Sequence, residues 1–356
     1  MRVINIGCYP PPYGGISVHL KRLEEYLEKE NINHVIIDLS KCYSAEKANN
    51  EIMFVSWRKA IVYLFFHKKA ILHFHNFSWK NTLIYYLLGF KHFTIVSLHN
   101  ERFPAEIEKA PRILRKLIAK SINAMNYFIV DSSKCCALAK KIVKDKSKIF
   151  VIPEFIPPSA IPRLNEQSLI VEMRKKHKFL ISSNAWQICF HNGVDLYGID
   201  MLIELTVSLN KEDIDAAFCL LLPGIGNNNY FLKLKEKIKK FHLEDKFVFI
   251  TDPLEEASSL WRISDIVIRA TNTDGNSHTV CEALSVGTPV IASDCVPRPK
   301  GVVLFRTRDF NDLYRKTRTV LSNVEEFKTK TKNLNIENNA HKIIDLYKSV
   351  IETENK

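Results

Sequence analysis

The chain has 356 residues, 46% of them apolar and 25% charged, with 51 Lys and Arg against 39 Asp and Glu. That length suits one or two domains with a full core. No stretch approaches the ~20 apolar residues of a membrane span, and residues 1–7 turn polar too soon for a signal peptide. The basic excess is uneven: residues 1–170 hold 25 Lys and Arg against 14 Asp and Glu, while residues 171–356 hold 26 against 25. Nucleic acid, an anionic membrane and phosphorylated substrates all suit such a first half. The eight cysteines show no Cys-x-x-Cys spacing and mostly sit in apolar runs, so they read as reduced core residues of a cytosolic protein.

A first strand over residues 2–7 leads into Cys8-Tyr9-Pro10-Pro11-Pro12-Tyr13-Gly14-Gly15-Ile16-Ser17 and then an amphipathic helix to about Lys29. Three prolines stiffen the loop. Gly14 and Gly15 allow either a tight turn or close backbone approach to a ligand. The loop follows a first β-strand, where open α/β sheets bind ligands, but it lacks the G-x-G-x-x-G of a dinucleotide site. Further strands are predicted at 34–39, 70–76, 93–100, 127–133 and 149–153, with helices near 55–66 and 79–90. Strands alternating with helices mean a doubly wound parallel sheet.

His73, His75 and His99 come from strand ends, with no i, i+4 pair and no Cys partner, so no metal is expected. Residues 105–122 predict one amphipathic helix. Arg112, Lys116 and Lys120 fall at i, i+4 and i+8 with Arg115 adjacent, and Ile113, Leu114, Leu117 and Ile118 lie on the other side. It is either a surface helix over the core or a basic face for anionic lipid headgroups. Trp57-Arg58-Lys59, Lys68-Lys69 and the aromatic run Tyr63 to Phe66 would extend the latter.

A Pro-rich, aperiodic stretch from Ile156 to about Gln167 reads as a linker. Strands near 179–182, 217–222, 247–250, 266–269, 289–292 and 301–305 then build a second sheet, with helices near 199–209, 230–242 and 254–264. The expected domains are 1–165 and 166–335, followed by a helix at 336–356.

Residues 265–303 carry the densest chemistry. Asp274-Gly275-Asn276-Ser277 is turn chemistry, Ser277 suits a helix N-cap, and Gly287 ends that helix. A helix N-terminus after a strand offers free N–H groups to a phosphate. Asp274 and Glu282 flank it eight residues apart. Carboxylates accept from hydroxyl pairs, so a ribose and a sugar are natural partners; a solvated pair is the plain alternative.

From Asp274 through Glu282-Ala283-Leu284-Ser285-Val286-Gly287-Thr288-Pro289-Val290-Ile291-Ala292-Ser293-Asp294, the chain resembles the donor-sugar signature of the family 4 retaining glycosyltransferases, which have the GT-B fold. The first acid is Asp rather than the usual Glu, shorter by one C–C bond of ~1.5 Å. The resemblance implies two doubly wound Rossmann-like domains facing across a cleft, the last helix crossing back to the first. It implies retaining, metal-independent hexosyl transfer in which Glu282 binds the ribose hydroxyls. Asp274 would hold a donor-sugar hydroxyl with the amides of Gly275, Asn276 and Ser277. Gly14 and Gly15 would touch the diphosphate and His99 would face the donor sugar.

The chain departs from the family at two places: Ala185 stands near an expected Arg, and Tyr197 stands at an expected Lys. Arg298, Lys300 and Arg269 are the stand-ins for diphosphate binding. A UDP-sugar is the first donor implied and GDP-mannose the second, with no cofactor. The implied acceptor is a lipid-linked saccharide of capsule or O-antigen type. The implied location is cytoplasmic and peripheral on the inner membrane face, through Arg112, Arg115, Lys116 and Lys120. Rival readings are a sugar-nucleotide epimerase of similar fold and a nucleotide-sugar-binding protein that has lost catalysis through Ala185 and Tyr197. A nucleic-acid module is disfavoured, because no recognised nucleic-acid motif is present.

Overall fold

Along the first strand, β1 (Arg2–Gly7), Val3 packs on one face of a sheet while Ile4 and Ile6 pack on the other. Its neighbours follow the same two-residue period. In β4 (Ala70–Phe74), Ile71 joins Val3 while Leu72 and Phe74 join Ile4. In β5 (Phe93–Leu98), Ile95 goes one way and Val96 and Leu98 the other. Both faces are covered, which is why these strands read as near-continuous apolar runs. The computed structural model describes residues 1–11, 14–40, 52–99, 103–252, 254–275 and 277–354. The chain folds as two compact units, Met1–Ser159 with Asn338–Lys356, and Ala160–Glu337.

In the first unit, β2 (His34–Asp38), β3 (Ile52–Phe54), β6 (Tyr127–Val130) and β7 (Ile149–Val151) complete a parallel sheet of order β3-β2-β1-β4-β5-β6-β7. Helices α2 (Trp57–Phe66), α3 (Trp79–Leu88), α4 (Phe103–Glu108), α5 (Arg112–Ala124) and α6 (Ser133–Ile142) cover the face of Ile4 and Leu72. The other face is covered by α1 (Gly15–Lys29) and by α14 (Asn339–Glu354) from the far end of the chain. From α14, Ala340, Ile343, Ile344, Tyr347 and Val350 pack on Val3, Ile71, Ile95 and Ile129.

The predicted helix over 105–122 is two helices. Pro111 has no N–H to donate and disfavours helical backbone at Ala110, so the chain breaks at 109–111 and restarts with Pro111 as the N-cap residue of α5. The apolar side expected to be buried is also divided. Ile118 and Ile122 are buried, but Ile113 is 88% exposed and Leu117 lies open beside Arg112, Lys116 and Lys120.

In the second unit a small helix, α7 (Leu169–Lys176), precedes β8 (Phe179–Asn184). Two two-stranded ribbons follow, one of β9 (Gln187–Ile188) with β13 (Gly224–Gly226), one of β10 (Phe190–His191) with β11 (Val194–Asp195). The main parallel sheet adds β12 (Ala216–Leu221), β14 (Phe247–Ile250), β15 (Ile266–Arg269), β16 (Val290–Ser293) and β17 (Val303–Phe305) in the order β14-β12-β8-β15-β16-β17. One face packs under α8 (Ile199–Lys211), α9 (Asn228–Lys240) and α12 (Phe310–Ser322), the other under α7, α10 (Ser258–Ile263) and α11 (His278–Ser285); α13 (Val324–Lys332) completes the unit. The predicted helices at 230–242 and 254–264 run instead over 228–240 and 258–263. The seven cysteines described are free thiols, three buried and four half-buried.

Candidate functional site

In the second unit, β15 delivers Arg269 to its C-terminal end, beside Ala292 of β16. A short loop then brings Asp274 back under it. Arg269 Nε and Nη2 donate to the two oxygens of Asp274, each at 3.0 Å. Arg298, from the loop after β16, donates through Nη1 to the same carboxylate at 2.9 Å, and Thr271 Oγ1 and the Gly275 N–H donate to it as well. A carboxylate offers about four lone-pair sites. In this structure five such bonds fill the Asp274 carboxylate, the residue expected to hold a donor-sugar hydroxyl. There it positions two arginines. Burial pushes the Asp274 carboxyl up, but the Arg269 and Arg298 guanidinia outweigh it and hold it below the usual carboxylate range.

The stand-in cations are largely spent within the protein. Arg269 Nη1 donates to the Asn184 backbone and side-chain oxygens, and its guanidinium lies 5.3 Å over the Tyr197 ring. Arg298 is only 2% exposed in its side chain; its other N–H groups go to Ser293, Thr271 and Cys295. Lys300 is exposed. Ala185 is fully buried at the end of β8. Arg269 thus covers Tyr197, the position where the family pattern expects a Lys. Gly198, next in the chain, has φ +67°, and a Cβ there would meet the Ala270 carbonyl at 2.6 Å.

Ser277 is the N-cap residue of α11, yet its hydroxyl makes no cap bond and, although 9% exposed, has no hydrogen-bond partner among the described residues. Gly275 stands in open space. Asn276 lies outside the described residues. Glu282 is buried in the second turn of α11, one oxygen accepting from the Trp261 indole N–H at 3.0 Å. Thr279 Oγ1 donates to Asn184 Oδ1 at 2.9 Å, tying α11 to β8. Sequence reasoning missed Asn184 and Trp261, which the fold brings to the motif, and Thr271 and Thr279, which lie within it.

In the first unit, Gly14 is the extended N-cap residue of α1. Its N–H donates to Ser17 Oγ at 2.8 Å, and a Cβ there would meet nothing closer than that oxygen at 3.9 Å. Gly15 opens the helix. His99 follows β5, with Nδ1 3.2 Å from Glu154 Oε1. It belongs to a cluster of four imidazoles: ring centres of His19 and His99 are 5.4 Å apart, His75 and His99 5.7 Å, and His73 and His75 4.0 Å. Burial first, then the neighbouring imidazoles, hold His73 and His75 well below the ordinary histidine range. Among the described residues, the grouping with metal-ligand spacing is Glu24, Glu28 and His34, not these histidines. The triplet Asp213-Ile214-Asp215 leads into β12, and Asp215, just before that strand, accepts from His177 at 2.7 Å.

Arg112, Lys116 and Lys120 are exposed on α5. Arg115 donates to the Ala110 and Glu108 carbonyls and so caps the end of α4.

The chain has known likenesses. Residues 173–305 match the family described as Glycosyl transferases group 1. Over 102 residues the chain is 30% identical to the amylovoran biosynthesis glycosyltransferase AmsD of Erwinia amylovora, a match covering 29% of this chain and 27% of that protein. It thus spans about a quarter of that relative's length. A glycosyltransferase from Rickettsia africae superposes with a TM-score of 0.71 at 15% identity, covering 98% of each chain. Anabaena HepE, solved with UDP-glucose, gives 0.64 at 13% identity over 99% of each chain. Sucrose-phosphate synthase from Thermosynechococcus elongatus gives 0.65 at 14%, covering 99% of this chain and all of its own. The chain therefore has the GT-B fold, and its match to the Glycosyl transferases group 1 family lies within the second unit.

Proposed function

We propose that the protein is a retaining glycosyltransferase that moves a hexosyl group from a nucleotide sugar, a UDP-sugar before GDP-mannose, to a hydroxyl of a lipid-linked saccharide in surface-polysaccharide assembly. The observation that carries this is the start of α11. A helix N-terminus whose buried Ser277 hydroxyl has no hydrogen-bond partner among the described residues stands ahead of Glu282 inside the matched stretch. Such an end stabilises a departing diphosphate, and Glu282 holds the ribose. The anomeric C–O bond to the diphosphate breaks with its electron pair leaving on the phosphate. The acceptor oxygen bonds to the same face of that carbon, and its proton passes to the departing phosphate. No resident metal or cofactor takes part.

The acceptor side is a membrane surface. Phe65 and Phe66 on α2, Leu87 and Phe90 at the end of α3, and Ile113 and Leu117 on α5 are exposed, Phe66 and Phe90 by 78% and 75%. Lys91 Nζ donates to the Phe65 carbonyl, and a cavity of about 130 Å³ joins Phe90 to Ala124, so the three helix ends are neighbours. Arg58, Lys59, Arg112, Lys116 and Lys120 on these helices, and Lys68 just after α2, are also exposed. Aromatic and aliphatic groups ringed by cations fit the headgroup boundary of an anionic bilayer. Among the described residues no helix is long and apolar enough to cross it.

A second reading, a donor-binding protein without transfer, draws on the buried Ala185 and on the commitment of Arg298 to Asp274. Nucleotide release from UDP-, GDP- and ADP-sugars, in EDTA and with membrane extract as acceptor source, separates the two. Release that needs the extract and is lost in Glu282→Ala establishes the transferase. Donor binding without release from any donor establishes the second reading.

A further inference from the structure

Among the described residues, Trp261 on α10 is the bulkiest side chain that is fully buried. It shares an apolar cluster with Val280, Ala283 and Leu284 of α11 and Val290 of β16. Its backbone is tied to the far end of α11 as well, because Thr288, just beyond that helix, donates its hydroxyl to the Trp261 carbonyl at 2.7 Å. An indole has one polar atom, an N–H that donates and never accepts. In an apolar cluster that N–H needs a partner, and it has one in Glu282 Oε2 at 3.0 Å.

That bond sets the direction of the carboxylate. A glutamate side chain turns about three bonds, the last over a broad two-fold well. Each rotamer frozen when a ligand arrives weakens that ligand. Here the donor is a rigid ring locked by packing, so the fold fixes the line of the N–H and, with it, the oxygen that Glu282 turns towards α10. A carboxylate has about four lone-pair sites and one N–H takes one of them, so this bond orients the group without filling it. Orientation matters for a vicinal diol. Two neighbouring O–H groups form a fork, and one carboxylate accepts both only when its two oxygens lie along that fork.

We propose that Trp261 is a positioning residue of the donor site, its indole N–H holding the Glu282 carboxylate where the two oxygens accept from both hydroxyls of the nucleotide's ribose. Ribose recognition then depends on α10 as well as on α11, and the site prefers a nucleotide with both ribose hydroxyls over one with neither. The proposal rests on the reading in which Glu282 holds the ribose.

The test titrates UDP, GDP and the 2′,3′-dideoxy form of each into the full chain by calorimetry. Wild type should bind the better ribonucleotide about tenfold or more tighter than its dideoxy form. Trp261→Phe removes the N–H and should cut that ratio several-fold, by weakening the ribonucleotide while the dideoxy form binds as before. Phe also leaves a gap in the core, so a second variant carries 3-benzothienylalanine at position 261, which keeps both rings and replaces the N–H by sulfur. The ratio should fall there as it does in Trp261→Phe. A ratio kept in the benzothienylalanine variant, or equal losses for ribonucleotide and dideoxy form, makes Trp261 a packing residue and overturns the proposal while Glu282 keeps the ribose. A wild type that binds a ribonucleotide and its dideoxy form equally, or binds none of the four, removes Glu282 from the ribose and takes the proposal with it. That failure is read before any variant is made.

Discussion

Arg269 and Asp274 lie five residues apart and meet through two parallel hydrogen bonds of 3.0 Å, both side chains almost wholly buried. Bidentate geometry of this kind is the strongest ordinary ion pair, and Arg298 adds a second guanidinium to the same carboxylate. One buried negative charge thus holds two positive ones. Asp274 faces inward as the keystone of its own loop.

Asp274→Ala should therefore act first on stability. Removing one member of a buried ion pair leaves uncompensated charge and costs about 3–5 kcal/mol. Denaturant unfolding of the variant measures this. A loss below about 1 kcal/mol, the range of an exposed pair, would show that water reaches the cluster.

Glu282 separates two effects. Glu282→Gln keeps an oxygen for the Trp261 indole, whereas Glu282→Ala leaves that donor unpaired at about 1–3 kcal/mol. Both should lose UDP affinity, by about tenfold or more, if the carboxylate holds the ribose. Calorimetric binding beside thermal unfolding checks both. Full UDP affinity in Glu282→Gln would remove Glu282 from the donor site.

The exposed face of α2, α3 and α5 should bind vesicles through two separable terms. Replacing Arg112, Lys116 and Lys120 by Gln should abolish the preference for anionic lipid and the salt dependence. Replacing Phe66, Phe90 and Ile113 by Ser should weaken binding to anionic and neutral vesicles alike. Flotation assays at low and high salt read both, and unchanged binding in the two variants would exclude this face.

The two units should answer acid in opposite directions. His73 and His75 are held below 6.5 by burial and then by their imidazole neighbours. The unfolded chain takes protons that the fold refuses, so this stability is present above about pH 6.5 and is lost as the pH falls. In the second unit, burial and then Asp200 push Asp195 up to about 6. Its contribution is present below the ordinary carboxylate range and is lost as the pH rises through about 6. Hydrogen exchange read peptide by peptide should show protection falling in acid around His73 in the first unit. Around α8 the Asp195-dependent part should rise, and Asp195→Asn should abolish that rise.

Much of the sheet was legible because parallel strands buried on both faces are short runs of Val, Ile, Leu and Phe. The break before α5 was legible too, in Pro111, but the helical spacing of Arg112, Lys116 and Lys120 masks it when the segment is taken as one period. Ile113 and Ile118, five residues apart, point about 140° from one another, so Ile113 shares the exposed side of Lys120 while Ile118 is buried. The signature around Glu282 stands in one continuous stretch. The four-imidazole cluster comes from α1, β4 and β5, and Glu154 from beyond β7, so no local pattern announces it. The inward turn of Asp274 was hidden for the same reason, since Arg298 reaches it only through the β15–β16 pairing.

The position of α14 carries a consequence for biosynthesis. The first sheet needs Ile343, Tyr347 and Val350 to cover one face, and the Tyr347 hydroxyl to bridge Asn5 and His73. All are made after the second unit. On the ribosome the amino-terminal sheet therefore waits, one side covered by α1 alone, while the whole carboxy-terminal unit is synthesised. A stop codon that removed only the last helix would expose the oldest part of the protein rather than the newest.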